Sequence, residues 1–550
     1  MAFQMKLKDY NNYGIIIIVF ILIFLSNMFK NLLIVDYISK GFVSKSFLTT
    51  NFSYVSIFQP LQLLSNIFHL QTVFFQLVVL IAMLFSFYFI KKLFPKYSLF
   101  FAFIFFFNPF MYSRLMVGQI GVILTYLLLP VFIYYILDKH KNSLYKAIFV
   151  ATIIGSVQSQ YFIICFGIFF LSLIFYKHNR TTKSIALFAI LLIALNMFWL
   201  QGMFANNIFS SIDSSHESFF SPVLRGDSFS TAKIIGMWGF WREAGYITTF
   251  NTFPHWLWFL MVLSLVALML VGFFSRKKDK TSKFFFSLWW IGVFFASGYG
   301  HPYTRPIFDF LFNNLPFFNG FRDSHKFVVL IVLAYAYLVP IGLIKVRDWL
   351  KTKTPFKKLI HYAVPILFVI FILAYTYPLI GLWGQVNSTD YPKSYEQTNQ
   401  FLLSQNMTGQ ILYLPWENYL TYNWTVKANP DGRIAVPINN IVKPIIITGS
   451  GQWGSANNLQ LNITNCLNNQ SLICLANNNV ELVLKDKCAF YPNEYEWVNH
   501  DFVYQDSCIE AYKLKGKFHK VEYKIPARFY IGWIISIITL IFLIILYRKK

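Results

Sequence analysis

Two basic residues, Arg322 and Lys326, stand four positions apart in the segment GFRDSHKF at 320–327, just before a long apolar run. Residues at i and i+4 share one face of an α-helix, so the two side chains are predicted to lie side by side. Two cations beside a helix N-terminus, where backbone N–H groups are free, form an anion site. A lipid-linked phosphate or diphosphate at the membrane surface suits such a site. The alternative is that both side chains only reach toward lipid headgroups.

A single acidic residue, Asp36, ends the first apolar run, in the sequence LIVDY at 33–37. A carboxylate at the border between lipid and water is partly desolvated, which raises its pKa and makes it a stronger base. Asp36 is therefore a candidate general base. The simpler alternative is a solvated residue at the end of a helix.

The segment 108–119, NPFMYSRLMVGQ, links two apolar runs. Asn108 and Pro109 interrupt a helix, and Gly118 permits close packing. Arg114 and Gln119 are then expected to face the same cavity as the segment at 320–327, together with Asp323 and His325. The alternative is an ordinary turn between two helices.

Asp213, His216 and Glu217 place metal-ligand types on one face, if the loop that carries them is helical. A divalent metal could bind there. The simpler alternative is a polar loop without a metal. No other cofactor is indicated.

Composition indicates the elements that must position these residues. The 550 residues are 56% hydrophobic and only 13% charged, with a mean hydropathy of +0.51. A soluble chain would be about a quarter charged, so this one belongs in a lipid bilayer. Twelve apolar runs are predicted to span it: 14–33, 70–90, 98–112, 118–137, 147–158, 160–176, 184–202, 255–274, 284–298, 326–344, 359–381 and 529–547.

The basic charge is concentrated between particular runs: 1–13, 91–97, 138–146, 177–183, 275–283, 345–358 and 548–550. These segments hold 25 of the 47 Lys and Arg residues and 4 of the 23 acidic residues, a net charge of +21. Basic residues gather at the cytoplasmic ends of spanning helices, so the charge indicates orientation rather than nucleic-acid binding. Both termini are predicted to be cytoplasmic in the cell membrane, and 35–69, 203–254 and 299–325 to be outer loops.

Residues 385–526 break the apolar pattern and are predicted to form an external soluble domain. They separate a membrane module, 1–384, from a last helix and basic tail, 527–550. A helix is expected at 395–404 and strands at 410–414 and 480–484, which predicts a small α/β or β-rich fold. Four of the five cysteines lie here, at 466, 474, 488 and 508. They favour two disulfides, of which Cys466–Cys474 with Cys488–Cys508 is the simplest of three pairings; reduced thiols are the alternative.

With these features in place, the chain resembles the GT-C superfamily of integral-membrane glycosyltransferases, in particular its archaeal and bacterial YfhO-like and arabinofuranosyltransferase types. Three motifs carry the resemblance: an acidic residue after the first helix (Asp36), the Asn-Pro-Phe…Arg…Gly-Gln segment at 108–119, and Phe-Arg-X-X-X-Lys-Phe at 321–327. The outer-domain sequences ILYLP at 411–415 and NVELVL at 479–484 are also similar to the family.

The resemblance implies a GT-C-like polytopic fold and a sugar transfer on the outer face, from a polyprenyl-phosphate donor to an envelope glycan or glycoprotein. It implies that Asp36 is the catalytic base and that Arg322, Lys326 and Arg114 bind the donor phosphate. Many members have two acidic residues in the first loop, whereas Asp36 is followed by Tyr37, which favours a mechanism without a metal. A flippase-type transporter of lipids or lipid-linked glycans, and a non-catalytic protein that binds envelope glycans, remain as alternatives.

Overall fold

Helices make up most of the first 384 positions. The structure, a computed structural model, describes residues 2–26, 28, 33–34, 37–38, 71–140, 142–176, 182–205, 229–315, 318–387, 389, 392–417, 419–435, 445–446, 458–490, 493–498, 501–520 and 527–548. The α-helices of this part are Ala2–Phe24 (α1), Gln71–Leu93 (α2), Ser98–Phe106 (α3), Pro109–Val117 (α4), Ile120–Leu137 (α5), Ser143–Val157 (α6), Ser159–Phe175 (α7), Thr182–Leu195 (α8), Met197–Ala205 (α9), Ser230–Ile235 (α10), Thr249–Thr252 (α11), His255–Ser275 (α12), Lys280–Ser297 (α13), Arg305–Asn314 (α14), Val328–Lys353 (α15) and Lys357–Tyr375 (α16).

Within the described residues, seven helical segments are long and apolar enough to cross a membrane. They are Phe75–Leu93, Ser98–Val117, Ile120–Leu137, His255–Ser275, Ser324–Lys353, Lys357–Tyr375 and Tyr530–Arg548. Four shorter apolar helices accompany them: Asn12–Phe24, Ser143–Val157, Ser159–Phe175 and Ile185–Leu195. The protein is therefore a helical membrane protein, as its composition predicts. The count of twelve spans and the orientation of the termini stay predictions.

Two of these segments form the centre of the helical part. In the apolar stretches of Ser98–Val117 and Ser324–Lys353, 94% of the residues are buried, against 17% in Lys357–Tyr375. The outer helices thus leave most of their apolar side chains for lipid, while the two central ones contact protein on nearly all sides. The candidate segments 108–119 and 320–327 belong to, or adjoin, this centre.

Close contact between α12 and α15 depends on two glycines. A Cβ atom on Gly272 would lie 2.1 Å from the carbonyl oxygen of Leu338, and one on Gly342 would lie 1.9 Å from that of Leu268. Neither position has room for a side chain, so the two backbones pack directly against each other, as at the small-residue interfaces of membrane helices. This contact fixes the position of α15, whose N-terminus follows the basic segment.

A small sheet domain follows the helical part. Its α-helices are Lys393–Ser404 (α17), Asn458–Asn468 (α18) and Leu472–Asn477 (α19), and Ala527–Arg548 (α20) follows it. The strands among the described residues are Leu33–Ile34 (β1), Tyr37–Ile38 (β2), Gln410–Leu414 (β3), Tyr419–Thr421 (β4), Arg433–Ala435 (β5), Ile445–Ile446 (β6), Val480–Asp486 (β7), Phe502–Gln505 (β8) and Ile509–Lys513 (β9). The helix predicted at 395–404 and the strands predicted at 410–414 and 480–484 are confirmed.

The main sheet has the strand order β6-β3-β7-β9-β8. Strand β3 runs parallel to β6 and β7, and β9 runs antiparallel to β7 and β8. Alternate side chains of β3 enter different cores: Ile411 and Tyr413 pack on one face of the sheet, Leu412 and Leu414 on the other. Both faces are therefore covered, which explains why every residue of β7 is buried.

Each of the two disulfides joins one cysteine of the domain to the next cysteine along the sequence. Cys466 is joined to Cys474, and Cys488 to Cys508. The first closes the α18–α19 turn on one face of the sheet, and the second ties the end of β7 to the start of β9. The fifth cysteine, Cys165, is buried in α7 with a free thiol.

The sheet domain contacts the helical part through the turn between the paired strands β4 and β5 and through Gln385. Arg242 Nη1 lies 3.3 Å from Asp431 Oδ2, and the Tyr246 hydroxyl lies 3.4 Å from the same oxygen. Gln385, at the predicted start of the domain, accepts a hydrogen bond from the Ile247 N–H at 2.8 Å and donates one to the Tyr112 hydroxyl at 2.8 Å. Strands β1 and β2 also contact β5. The domain is thus anchored on the same end of the helices as the candidate segments.

Candidate functional site

A sharp turn in the chain creates the first half of the site. Helix α3 ends at Phe106, and Asn108 caps α4 by accepting a hydrogen bond from the Met111 N–H at 2.9 Å. Its amide also donates to the Phe105 carbonyl at 2.7 Å, and Pro109 has no N–H to continue the earlier helix. Gly118 then ends α4 with φ = 74°. The span predicted from residue 98 is thus part of the candidate span Ser98–Val117, which ends at residue 117 rather than 112 and consists of two short helices that meet at Asn108.

Arg114 projects from α4 into the protein interior. Its side chain is fully buried. Nη1 donates hydrogen bonds of 2.7 Å to Asp323 Oδ2 and of 2.7 Å to Gln119 Oε1, and Nη2 lies 3.0 Å from His325 Nδ1. The structure therefore brings together four residues that the sequence places in one cavity.

Two aromatic rings enclose the guanidinium group. Its central carbon lies 5.2 Å from the ring centre of Phe110 and 4.5 Å from that of Phe240. Phe110 also stacks on His325. A cation between aromatic faces is stabilised electrostatically, and the rings keep water away from the charged pair.

The four residues Arg114, Gln119, Asp323 and His325 are called the Arg114 cluster here. Their protonation states follow from the geometry of their contacts. Guanidinium nitrogens can only donate, so Nδ1 of His325 must accept, and the proton of a neutral ring is on Nε2. Burial alone would raise the pKa of Asp323, but the charges of Arg114 and Lys326 outweigh it and hold that pKa at about 2. Asp323 is thus an anion paired with a permanent cation.

The buried polar atoms of this neighbourhood that have no hydrogen-bond partner among the described residues include Nε of Arg114, Oδ1 of Asp323 and the hydroxyl of Tyr161. All three are buried, and Tyr161 interacts electrostatically with both Arg114 and Asp323. A buried polar atom that lacks a partner costs about 1–3 kcal/mol. Such atoms mark a place where a polar ligand would be stabilised.

The two basic residues of 320–327 lie beside this cluster. The segment forms two 3-10 turns, Phe318–Arg322 and Ser324–Phe327, separated by Asp323. The single α-helical face assumed from the spacing of Arg322 and Lys326 is therefore wrong. Lys326 Nζ instead lies 4.0 Å from Asp323 Oδ2. Arg322 is half-buried; burial lowers its pKa, and nearby Asp323 and Tyr419 act in the opposite direction.

One buried carboxyl group, that of Glu243, is not among the site residues predicted from the sequence. Glu243 accepts hydrogen bonds from the N–H groups of Gly239 at 2.8 Å and Phe240 at 3.0 Å, and from the hydroxyl of Ser113, the neighbour of Arg114, at 3.1 Å. Burial raises its pKa to about 7, although these donors and the charge of Lys233 lower it. Its partners are mostly backbone groups, which leave no signature in side-chain spacing.

Two sets of predicted site residues lie outside the described residues: Asp36, and the metal-ligand candidates Asp213, His216 and Glu217. On either side of Asp36, the described strands β1 and β2 pair with each other in antiparallel register. Within the described chain, Asp486, Cys488 and Cys508 place potential ligand atoms within 4.8 Å of one another. Both of these cysteines are in a disulfide, so they offer no thiolate and do not form a metal site.

Comparison with known proteins finds similar solved structures but no similar sequence family. No protein-family model matches the chain, and no curated protein matches it. Among solved structures, the mycobacterial arabinofuranosyltransferase AftD has a TM-score of 0.62 at 12% identity, over 92% of this chain and 40% of AftD. An arginine-to-serine mutant of AftD has a TM-score of 0.53 at 13% identity, over 84% of this chain and 36% of that one.

These matches show a shared fold. The chain spans about two-fifths of the length of AftD. The arabinofuranosyltransferase type named from the motifs is the type that the structural comparison returns, so the fold implied by the resemblance is confirmed.

Proposed function

We propose that this chain is a membrane glycosyltransferase that moves a sugar from a polyprenyl-phosphate donor to a cell-envelope acceptor, a glycan or glycoprotein, on the outer face of the membrane. The fold shared with an arabinofuranosyltransferase over 92% of the chain carries the proposal. Fold alone does not imply activity, so the proposal depends on what the Arg114 cluster can do chemically.

The charge balance of the cluster favours an anionic ligand. Arg114 and Asp323 neutralise each other, and His325 is neutral in the arrangement described above. Arg322 and Lys326 then leave a net positive charge at the end of the central helices. Glu243 subtracts less than one full charge at neutral pH, because its pKa is about 7. A phosphate or diphosphate at the membrane surface has the matching charge.

Within this proposal, Lys326 and Arg322 bind the donor phosphate. Lys326 is well suited because its flexible side chain can turn from Asp323, 4.0 Å away, toward an arriving phosphate. Arg114 acts differently. Both of its terminal nitrogens are engaged by Asp323, Gln119 and His325, so it positions the loop that carries Arg322 and Lys326.

Asp36 is proposed as the base that takes the proton from the acceptor hydroxyl. The hydroxyl oxygen then forms a bond to the sugar carbon as that carbon leaves the donor phosphate. A general base must come within about 3 Å of the hydroxyl. No metal is required in this scheme, since Arg322 and Lys326 stabilise the leaving phosphate. A divalent metal held by Asp213, His216 and Glu217 is the alternative to this scheme.

The decisive experiment uses the purified chain in lipid nanodiscs with a panel of radiolabelled polyprenyl-phosphate sugars. Transfer to an envelope glycan is the expected result. Arg322→Ala and Lys326→Ala should weaken donor binding, and Asp36→Asn should lower turnover while donor binding is retained. Arg305→Ala is the matched control, because Arg305 is an exposed cation on α14 whose side chain contacts Tyr299.

Three outcomes would contradict the proposal. Full activity in all three site variants would place the chemistry elsewhere. Movement of the labelled lipid across the bilayer without transfer would indicate a transporter. Glycan binding without any donor binding would indicate a non-catalytic glycan receptor.

A further inference from the structure

A second polar region lies at the opposite end of the helical part. It is a cavity of about 750 Å³ between the turn that joins α2 to α3 and the turn that joins α12 to α13. Helix α13 connects the two ends: it starts beside the cavity, and its Ala296 carbonyl accepts a hydrogen bond from Ser324 next to the Arg114 cluster. At 1.5 Å per residue, the 18 residues of α13 separate the two regions by roughly 27 Å.

The cavity is strongly basic. Four cationic residues line it: Lys96, Arg276, Lys277 and Lys278. The one acidic residue of its wall, Asp279, is already engaged, because its Oδ2 accepts hydrogen bonds from the Ser282 N–H at 3.1 Å, the Ser282 hydroxyl at 3.0 Å and the Tyr337 hydroxyl at 3.2 Å. The lining therefore has a net charge of +3.

Acidic groups near the cavity do not cancel this charge. Asp348 is close enough to Lys96 for an electrostatic interaction, but it lies 2.8 Å from Arg347 Nη2 and 4.0 Å from Lys351 Nζ. Its charge is therefore shared with two other cations. The excess of positive charge at the cavity persists.

One of the cations is held in place without losing its exposure. Arg276 Nη2 donates a hydrogen bond of 2.8 Å to the Tyr97 hydroxyl, and its guanidinium group lies 5.4 Å from the Tyr97 ring centre. Tyr97 itself is buried, whereas Arg276 remains exposed. A fixed, accessible guanidinium group loses little side-chain entropy when it binds a phosphate.

Part of the remaining wall is apolar. Leu93, Phe94 and Phe274 line the cavity beside the cations, and Phe274 is exposed. Leu93 ends the spanning helix α2, and Phe274 lies in the last turn of the spanning helix α12, so the apolar wall stands at the level where lipid chains meet water. A ligand for this cavity needs both an anionic group and a hydrocarbon part.

We propose that the cavity lined by Lys96, Arg276 and Lys278 binds the phosphate headgroup of an anionic phospholipid of the adjoining leaflet. The headgroup occupies the basic part, and the upper acyl chain lies along Phe274 and Leu93. Basic pockets between membrane helices bind anionic headgroups in this way. This lipid site does not depend on the proposed transferase activity. A free phosphate ion offers the same anionic group as a phospholipid headgroup, so the experiment must distinguish the two ligands.

The test uses the full chain purified into mixed micelles that contain equal amounts of phosphatidylglycerol and phosphatidylcholine with matched acyl chains. Native mass spectrometry then counts the lipids that stay bound. Preferential retention of phosphatidylglycerol is expected. The double variant Arg276→Ala/Lys278→Ala should reduce that retention roughly 30-fold, since each of the two basic residues contributes on the order of 1 kcal/mol and every ~1.4 kcal/mol is tenfold.

The matched control removes two positive charges from a different turn of the protein. Lys353→Ala/Lys358→Ala takes two exposed lysines from the α15–α16 turn, outside the cavity lining, and should leave phosphatidylglycerol retention unchanged. Arg276→Lys should restore part of the retention. If the first variant does not fold, Lys277→Ala/Lys278→Ala, on two exposed residues of the turn, gives the same comparison.

Two results would overturn the proposal. Equal retention in the cavity variant and the control would show that only bulk charge matters. Displacement of phosphatidylglycerol by excess inorganic phosphate would show a site for a free anion, whereas a lipid site should keep its ligand because the acyl chains remain in the micelle.

Discussion

Arg114 and Asp323 form an ion pair across 209 positions of sequence, with 2.7 Å between Nη1 and Oδ2 and both side chains at least 90% buried. The pair joins α4 to the loop before α15. The pair therefore links the two elements that contain the sequence motifs. Its stability depends on both charges being present.

Removing one partner of this pair should be more harmful than removing both. An isolated buried charge costs about 3–5 kcal/mol, whereas replacement of both members by apolar groups is often neutral. Arg114→Met and Asp323→Leu should each lower the thermal unfolding midpoint strongly, and the double variant should recover a large part of the loss. Differential scanning fluorimetry in detergent measures this.

An exposed ion pair of the sheet domain is the control. Lys515 Nζ lies 3.1 Å from Asp501 Oδ2, with side chains that are 87% and 47% exposed. Lys515→Ala should change the unfolding free energy by less than about 1 kcal/mol, because surface ion pairs contribute little. Equal effects of Lys515→Ala and Arg114→Met would show that the buried pair has no special structural role.

The substitution Gly342→Ala should destabilise the protein, although alanine has a higher helix propensity than glycine. The added Cβ would lie 1.9 Å from the Leu268 carbonyl oxygen, so α12 and α15 would have to separate. At Gly167, by contrast, nothing lies within 4 Å of the added Cβ. Gly167→Ala should be neutral or stabilising by up to about 1 kcal/mol.

Size-exclusion profiles and unfolding midpoints of the two alanine variants decide this prediction. Gly342→Ala should lower the yield of monodisperse protein, while Gly167→Ala should not. A wild-type profile for Gly342→Ala would mean that the two helices are not in direct backbone contact.

Sequence reasoning found most members of the Arg114 cluster because helix breakers are visible in a sequence. Asn108, Pro109 and Gly118 predict turns on physical grounds, and turns at helix ends are where polar residues gather. The pairing of Arg114 with Asp323 was not predictable, since no local pattern connects residues so far apart. The membrane class and the sheet-domain strands followed from composition and alternation, which are also local properties.

The spacing of Arg322 and Lys326 led to a wrong local structure. A four-residue spacing predicts a shared face only in an α-helix, and the chain forms 3-10 turns there instead. Phe321 and Phe327 stack with 4.4 Å between ring centres, while Ser324 donates to the Ala296 carbonyl. These tertiary contacts determine the turn, and intrinsic helix propensity is too weak to oppose them.

Loss of either disulfide should destabilise the sheet domain, and the longer loop should matter more. The Cys488–Cys508 pair spans 20 positions and the Cys466–Cys474 pair 8. Chain entropy then predicts losses of about 3.3 and about 2.5 kcal/mol for the paired serine variants. Limited proteolysis of the full chain should cut the 488/508 variant faster than the 466/474 variant.

Mass spectrometry of non-reduced peptides supplies the corresponding chemical test. It should show both links and a free thiol at Cys165, which is buried in α7. Free thiols at all four domain cysteines in protein from the native membrane would contradict an oxidising outer location for the domain.

The protonation of Glu243 should make the stability of the fold depend on pH. Its pKa is about 7 in the folded protein against an ordinary value of 4.5. Below pH 4.5 the group is protonated in both states. Between pH 4.5 and 7 the unfolded chain releases this proton while the folded protein keeps it, so stability falls as the pH rises, by about 3 kcal/mol in total. Above pH 7 the effect levels off.

Glu243→Gln removes the titrating group and should flatten this part of the pH profile, even if the loss of one acceptor for the Gly239 and Phe240 N–H groups lowers stability at every pH. Glu510→Gln is the matched control: hydrogen bonds and nearby lysines hold the Glu510 pKa below its usual value against the effect of burial, so that group is already ionised in the same window. Unfolding midpoints at pH 5, 6 and 7 give the slopes. Identical slopes for wild type and Glu243→Gln would show that Glu243 is ionised throughout and that its backbone donors outweigh its burial.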